Sequence, residues 1–212
     1  MAERSGRKLK YWQAINKTLA AEMERDERVC AFGEDIAVGG GSFGATRGLL
    51  DKFGSSRVRD TPISELAIAA VGTGSAMTGL RPVIEIMYMD FIQLALDQIV
   101  NQAAKMRFMA GGAYSVPLTV RTLVASRTQS GPQHSQSFEA WLGGVPGLRV
   151  VWPTTPADAA ALLRSSISSA TLTPSLVTVG PPQDLSSTAL RPRGPRVAFT
   201  ARASFSTPAR RA

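Results

Sequence analysis

Cysteine and histidine are almost absent from this sequence, and each shortage excludes a class of site. Cys30 is the only cysteine among the 212 residues, so no disulfide can form within the chain. A lone cysteine fits a reducing compartment, and we expect a cytoplasmic protein. His134 is the only histidine, and the Cys and His spacings that hold structural zinc do not occur. We therefore predict no metal site in this chain.

Long hydrophobic runs are also missing. No apolar segment approaches the roughly 18 residues of a membrane-spanning helix. Residues 1–10 are polar and basic and contain no apolar segment of the kind found in secretory signals. The composition, 44% hydrophobic and 19% charged, is ordinary for a globular domain. We expect no membrane partner.

Acidic residues are missing from one end of the chain. Residues 191–212 contain six arginines and no acid, whereas residues 1–190 hold 18 basic and 16 acidic groups. The net charge of +8 therefore belongs to a tail and not to the main domain. Basic tails can bind nucleic acid, but this one has few aromatics and lacks the periodicity of a folded nucleic-acid reader. Nucleic acid is not a favoured partner.

The elements that are present alternate between strand and helix. Apolar residues spaced for helices alternate with short apolar runs that favour buried strands. This order is typical of a doubly wound α/β domain with a mostly parallel sheet. The predicted strands are 29–32, a short one from Val58, 81–87, 116–121 and 148–152, and the predicted helices are 8–26, 46–53, 66–77, 90–110 and 157–167.

Glu65 stands at a junction between a strand and a helix. The strand from Val58 stops at Pro62, which lacks an N–H, and Ser64 is a good N-cap for the helix that follows. That helix is rich in Ala, Gly, Ile and Val, so we expect it to be buried. Ligands of open α/β sheets bind at such strand ends, although Glu65 could instead simply complement the helix dipole.

His134 lies on a loop that should leave the carboxyl end of the strand at 116–121. A histidine there can shuttle a proton near neutral pH, or it can be an ordinary loop residue held by its neighbours. No G-x-S-x-G elbow is present, so a hydrolase is not indicated. The glycines at 39–41 follow a strand but lack the GxGxxG order and a P-loop lysine, so they are a weak phosphate signal.

Seven short motifs, taken in order, resemble one family. Over residues 8–168 the chain is similar to the β subunit of the E1 component of 2-oxoacid dehydrogenase complexes, of the pyruvate, branched-chain or acetoin type. The motifs are Gly33-Glu-Asp35, Asp60-Thr-Pro-Ile-Ser-Glu65, Leu80-Arg-Pro-Val83, Asp90-Phe91 with Asp97-Gln-Ile99, Gly131-Pro-Gln-His-Ser-Gln136, Val145-Pro-Gly-Leu148 and Pro153-Thr-Thr-Pro-Ala-Asp158.

The resemblance implies a transketolase-like pyrimidine-binding domain and a thiamine-diphosphate enzyme. In that family an E1 α subunit holds the magnesium ion and the diphosphate. This chain agrees, because it has no G-D-G followed by an asparagine pair. The implied reaction decarboxylates a 2-oxoacid and passes the acyl group to lipoyl-bearing E2. The family forms α2β2 heterotetramers, so the chain alone is expected to be inactive.

Site residues carry over from the motifs. Glu65 matches the glutamate that binds the aminopyrimidine ring, and His134 matches the histidine that assists substrate and acyl transfer. Glu34 lies in an acidic turn that resembles the loop near the cofactor. Tyr88 matches an aromatic residue beside the ring, and Gln93 is a weaker candidate nearby.

Two departures from the family pattern lead to further expectations. Residues 123–129 replace a Gly-rich run before His134, which bears on the conformation of that loop. After about residue 168 the resemblance stops, so we predict a cofactor domain at 1–168 and a basic, poorly ordered tail at 169–212. A shifted reading frame, a divergent tail or a natural linker would each explain the tail.

Those departures leave other functions open. One is a truncated, non-catalytic remnant or interaction protein that keeps the fold. A more distant one is a transketolase or deoxyxylulose-phosphate synthase half, against which the Gly-Pro-Gln-His-Ser-Gln motif argues. Because an assembly surface would be missing, we expect poor activity even with an α subunit.

Overall fold

The computed structural model describes residues 9–124 and 130–169, together with the backbone of two further strands at 175–179 and 198–200. Its helices are α1 (Tyr11–Arg25), α2 (Leu49–Phe53), α3 (Glu65–Met77), α4 (Ala104–Met109), α5 (Glu139–Gly143) and α6 (Pro156–Ser168). Its strands are β1 (Val29–Gly33), β2 (Val58–Asp60), β3 (Arg81–Tyr88), β4 (Thr119–Leu123), β5 (Arg149–Val151), β6 (Ser175–Val179) and β7 (Ala198–Thr200).

One sheet carries these strands in the order β2-β1-β3-β4-β6-β5-β7. The strands pair in parallel, except that β5 and β7 are antiparallel. Parallel strands need crossover connections, and here helices supply them on both faces. The predicted α/β fold with a mostly parallel sheet is confirmed.

Two apolar cores lie on the two faces of the sheet, because alternate side chains of a strand point to opposite sides. In β3, Ile84 and Ile86 join a core with α3, while Val83 joins a core with α1 and α6. Both sets are fully or nearly fully buried. The strands are therefore apolar on both sides, as the sequence indicated.

Several predicted boundaries differ from the observed ones. The fourth strand begins at Thr119 and not at 116, because Pro117 has no N–H to give to a ladder. The short helix begins at Leu49 and not at 46, since Gly48 precedes it with a left-handed φ of 74°. The predicted helix at 90–110 is divided into a 3-10 segment (Met89–Ala95), a π segment (Asp97–Ala103) and α4.

The structure bears on the predicted tail and on the predicted loop before His134. Strands β6 and β7 lie within the predicted tail, and β6 pairs with both β4 and β5. The division of the chain at residue 168 stays a prediction. The conformation of residues 125–129, which precede His134, lies outside the described residues.

In the part of the chain that the structure describes, no helix has the length and hydropathy needed to cross a bilayer.

Candidate functional site

The carboxyl ends of β1, β2 and β3 meet at one edge of the sheet and bring the predicted site residues there. Glu34 follows β1, and Tyr88 ends β3. Gly33 pairs with both Asp60 of β2 and Glu85 of β3. A Cβ on Gly33 would lie 2.7 Å from the Glu85 carbonyl oxygen, so glycine lets the strands approach this closely.

The loop after β1 is held by Asp60. Its carboxylate accepts hydrogen bonds from the backbone N–H groups of Ala37, at 2.6 Å, and Val38, at 3.1 Å. The N–H of Thr61 donates to the Gly33 carbonyl oxygen at 3.0 Å. These bonds fix the turn that carries Glu34 above the sheet edge.

Glu65 is the first residue of α3, and it is only 6% exposed. Ser64 occupies the predicted N-cap position, but its side chain makes no capping bond, and only its carbonyl accepts from the N–H of Ile68. The helix dipole favours a carboxylate at this end. The buried carboxylate therefore lies at the start of α3. The prediction that this helix is buried is wrong for one of its faces, because Leu66 and Val71 are 50% and 60% exposed.

Glu34 and Glu65 interact electrostatically. Burial raises the pKa of the Glu34 carboxyl above its ordinary value, and the negative charges of Glu65 and Asp35 raise it further. The Oε1 atom of Glu34 is buried and has no hydrogen-bond partner among the described residues. The raised pKa favours the protonated Glu34 carboxyl, which can donate a hydrogen bond to a ligand as well as accept one.

His134 packs against aromatic rings at the same edge. Its imidazole lies edge-to-face on Tyr88, with centroids 4.9 Å apart, and on Phe91, at 5.3 Å. Tyr88 also contacts Phe43 and Phe91, each at 5.7 Å. The Nδ1 atom of His134 is buried and unpartnered within the described part of the chain. The structure thus brings His134 and Tyr88 together in one aromatic cluster.

Gln93, the weakest of the predicted site residues, is exposed. Its Nε2 donates to the carbonyl oxygen of Asp90 at 3.1 Å, so the side chain folds back on its own helical turn. Its assignment to the cofactor stays a prediction.

Sequence reasoning missed Phe91 as a neighbour of His134 and Phe43 as a neighbour of Tyr88. It also missed Asp90 as the acceptor that holds the histidine loop. Asp90 is 5% exposed and accepts two hydrogen bonds from Gln136, in the loop that contains the histidine. The available signal was position, since Asp90 directly follows a predicted strand whose carboxyl end should face ligand. Its partner, 46 residues away, was not visible in any local pattern.

A buried ion pair lies between neighbouring strands beneath α1. Arg121 of β4 pairs with Glu85 of β3, and both are at least nine-tenths buried. They line a small cleft whose walls include Tyr11 and Phe43. Burial raises the pKa of the Tyr11 hydroxyl, which donates to the Pro153 carbonyl oxygen at 3.1 Å. The Arg121–Glu85 ion pair therefore links β4 to β3, the strand that ends at Tyr88 of the aromatic cluster.

Comparisons with known proteins find one family model and several related sequences. Residues 7–180 match the family described as transketolase, pyrimidine binding domain. The chain is 45% identical over 159 residues to the 2-oxoisovalerate dehydrogenase subunit beta of Bacillus subtilis (strain 168), covering 75% of this chain and 49% of that protein. It is 46% identical over 154 residues to the mitochondrial pyruvate dehydrogenase E1 component subunit beta of Dictyostelium discoideum, covering 73% and 43%.

Solved structures show the same fold at lower identity. A transketolase from Leishmania mexicana superposes with a TM-score of 0.65 at 20% identity, over 82% of this chain and 25% of that one. A split gene transketolase, described as an inactive beta4 tetramer, gives 0.63 at 16% identity, over 79% and 49%. The chain spans about half the length of the curated relatives it matches.

Proposed function

The chain belongs to the transketolase pyrimidine-binding domain family, and we propose that it acts as the β subunit of a thiamine-diphosphate-dependent 2-oxoacid dehydrogenase (E1). The observation that carries the proposal is the pair of acids at the sheet edge. Glu65 is buried at the start of α3, and Glu34 beside it keeps a buried oxygen without a partner in the described region. Such a pair calls for a polar ligand.

These residues fit the aminopyrimidine half of thiamine diphosphate. The ring offers both hydrogen-bond donors and acceptors, and the raised pKa of Glu34 favours its protonated carboxyl, which can donate as well as accept. When bound, thiamine diphosphate supplies the electron sink that decarboxylation of a 2-oxoacid requires. The magnesium ion and the diphosphate are assigned to an α subunit, because the sequence lacks the expected diphosphate motif.

Each residue of the edge then has a role. Glu65 holds the ring and favours its protonated form, since a carboxylate in a partly dry site attracts the positive form of its partner. Tyr88 contributes an apolar wall beside the ring. The buried Nδ1 of His134 leaves Nε2 as the nitrogen that holds or gives a proton to the substrate.

An exposed apolar helix face supports an α-subunit partner. Leu66 and Val71 on α3 are 50% and 60% exposed, and a side chain at Gly74 would meet open space. Large exposed apolar side chains on one helix are typical of interaction surfaces. Because α3 begins with Glu65, a subunit docked on this face would close the same site. Lipoyl-bearing E2 would accept the acyl group, and the lone cysteine favours a cytoplasmic assembly.

Substitution of Glu65 tests the proposal. The chain is co-expressed with an E1 α subunit, and two properties are measured: thiamine diphosphate binding by calorimetry and 2-oxoacid-dependent dye reduction. We expect binding to the mixed subunits, and we expect Glu65→Gln to lower turnover by roughly 10²- to 10⁴-fold, the usual contribution of a general acid or base.

Glu27→Gln is the matched control, because Glu27 is exposed and lies at the opposite, amino-terminal edge of the sheet. It should leave both measurements unchanged. If the mixed subunits bind no thiamine diphosphate and reduce no dye with pyruvate or a branched-chain 2-oxoacid, the proposal is wrong and a non-catalytic role is favoured. Unchanged turnover in Glu65→Gln would instead remove the role assigned to that residue.

A further inference from the structure

Asp90 is a buried acid that the proposed chemistry does not use. It is 5% exposed in the 3-10 turn that follows β3. Removing a carboxylate from water is costly unless hydrogen bonds replace the lost hydration. A carboxylate at this position therefore needs strong hydrogen-bond donors, and the identity of these donors indicates the role of Asp90.

Both donors to Asp90 come from one residue. Its Oδ1 accepts from the backbone N–H of Gln136 at 3.1 Å and from the Gln136 side-chain Nε2 at 2.9 Å. Hydrogen bonds to an ionised acceptor are about twice as strong as neutral ones. The carboxylate thus clamps the backbone and the side chain of the same loop residue.

The clamped loop is compact and carries His134. Within it, the N–H of His134 donates to the Gly131 carbonyl oxygen at 3.2 Å, and the Ser135 hydroxyl donates to the same carbonyl at 2.9 Å. After it, the N–H of Phe138 contacts the Sδ atom of Met89 at 3.3 Å. Internal bonds therefore make the loop a unit, and hydrogen bonds donated to Asp90 and Met89 fix that unit to the end of β3.

The same short segment supplies the walls against which the imidazole packs. Tyr88 and Phe91 flank Asp90 in sequence, and both rings contact His134 edge-to-face. The anchor of the loop and the surface that receives the histidine therefore belong to residues 88–91. Any change in the anchor must alter the fit between the ring and this surface.

We propose that Asp90 is a positioning residue, which acts through Gln136 to hold the His134 imidazole against Tyr88 and Phe91. Asp90 does not contact the substrate in this scheme. The inference rests on the proposed function only for the catalytic role of His134. The position of the ring is a property of the chain itself.

The test uses the single histidine of the chain, whose ring protons and nitrogens give one unambiguous set of NMR signals. In the unsubstituted chain, the flanking aromatic rings should displace these signals from the values of free imidazole. Asp90→Ala removes the acceptor, so the displacement should be lost and the lines should narrow. Asp90→Asn keeps an acceptor oxygen at Oδ1 and should retain most of the displacement.

Two further variants calibrate the result. Gln136→Ala removes only the side-chain donor and should lose part of the displacement. Asp97→Ala replaces an exposed acid that bonds Asn101 in the next helical segment, and the His134 signals should not move. If Asp90→Ala unfolds the chain, the other two variants still test the positioning role. Asp90→Asn should keep most of the displacement of the His134 signals, and Gln136→Ala should lose part of it.

Unchanged His134 signals in Asp90→Ala, or full loss in both Asp90→Asn and Asp97→Ala, would overturn the positioning role. The spectra require neither cofactor nor α subunit, so they separate this inference from the proposed function. Responsive His134 signals in an assembly that turns over no 2-oxoacid would leave the positioning role intact and remove the catalytic one. In an active assembly, Asp90→Ala should lower kcat more than it changes the KM for the 2-oxoacid, with Asp90→Asn restoring most of kcat.

Discussion

The two ends of the parallel sheet differ in whether their polar groups have hydrogen-bond partners among the described residues. At the amino ends of the strands, charged side chains are matched with partners, and at the carboxyl ends several buried polar atoms are not. An unsatisfied buried polar group costs about 1–3 kcal/mol of stability, so the presence of several at one edge needs an explanation. The unpartnered atoms therefore favour the carboxyl-terminal edge as the side that binds a ligand.

At the amino ends, arginines bind the chain together. Arg57, just before β2, donates to the carbonyl oxygens of Met23, Asp26 and Val29 at 2.6 to 3.0 Å. Arg81 at the start of β3 donates to the carbonyl oxygen of Ile167 at 2.6 Å. The bonds to Met23, Asp26 and Ile167 satisfy carbonyls at the ends of α1 and α6, which a helix leaves without partners. The bonds to Val29 tie Arg57 to the start of β1.

The carboxyl ends show the contrast. Seven buried side-chain oxygens or nitrogens have no partner within the described ranges. Four of them belong to Glu34, Thr61, Asp90 and His134, which follow β1, β2, β3 and β4 along the chain. The exception at the amino edge is Ser166 near the end of α6. A ligand bound at this edge would satisfy the buried atoms of Glu34 and His134.

The largest effect should come from breaking the satisfied end. Arg57→Met removes the donors to three carbonyls, and we expect the free energy of unfolding to fall by about 3 kcal/mol. Urea denaturation monitored by circular dichroism measures it. Arg59→Met is the control, because Arg59 is exposed and makes one bond to the Ser55 carbonyl oxygen. Its effect should stay within about 0.5 kcal/mol, and equal losses in both variants would contradict the special role of Arg57.

A moderate effect should come from the acid at the same end. The hydrogen bond from the Arg28 side chain, at 2.9 Å, and the nearby charges of Arg28 and Arg81 hold the pKa of Asp26 at about 2, below its ordinary 3.8. A lowered pKa adds stability above the ordinary value, and this stability is lost as the pH falls toward about 2.

Asp26→Asn should therefore cost about 1 kcal/mol at pH 6, as partly exposed ion pairs do, and nothing near pH 2. Urea midpoints of the two proteins, measured from pH 6 downward, provide the comparison. Curves that stay parallel throughout would show that Asp26 does not act through its charge.

The sequence could predict where the unsatisfied edge lies, because parallel strands end together and ligands bind where they end. The structure brings Glu34, Glu65, Tyr88 and His134 to that edge, and their roles there stay predictions. The sequence could not predict the bond from Gln136 to Asp90, since that bond depends on how two distant loops fold against each other. It also read one helix at 90–110, because helical periodicity does not distinguish 3-10 and π segments from α-helix.

The smallest effect, and the one of opposite sign, should come from the unsatisfied end. The pKa of Glu34 is raised by burial and by the charge of Glu65, so the folded state favours the protonated acid. For such a group the unfolding free energy falls as the pH rises from the ordinary value through the raised one. Glu34→Gln removes this penalty without removing the shape. We expect it to match the unsubstituted chain near pH 4 and to be more stable by about 0.5 kcal/mol at pH 7.

Asp26→Asn and Glu34→Gln should thus have opposite pH dependences within one domain. Urea midpoints of Asp26→Asn from pH 6 down to pH 2 and of Glu34→Gln at pH 4 and pH 7 test this, with Glu27→Gln as the neutral reference. A loss of stability in Glu34→Gln at pH 7 would mean that the charged carboxylate already has a partner in the free chain. The carboxyl edge would then be satisfied, and the difference between the two ends would no longer indicate a ligand site. A gain that disappears when thiamine diphosphate and an α subunit are added would instead identify the ligand that this edge is built to receive.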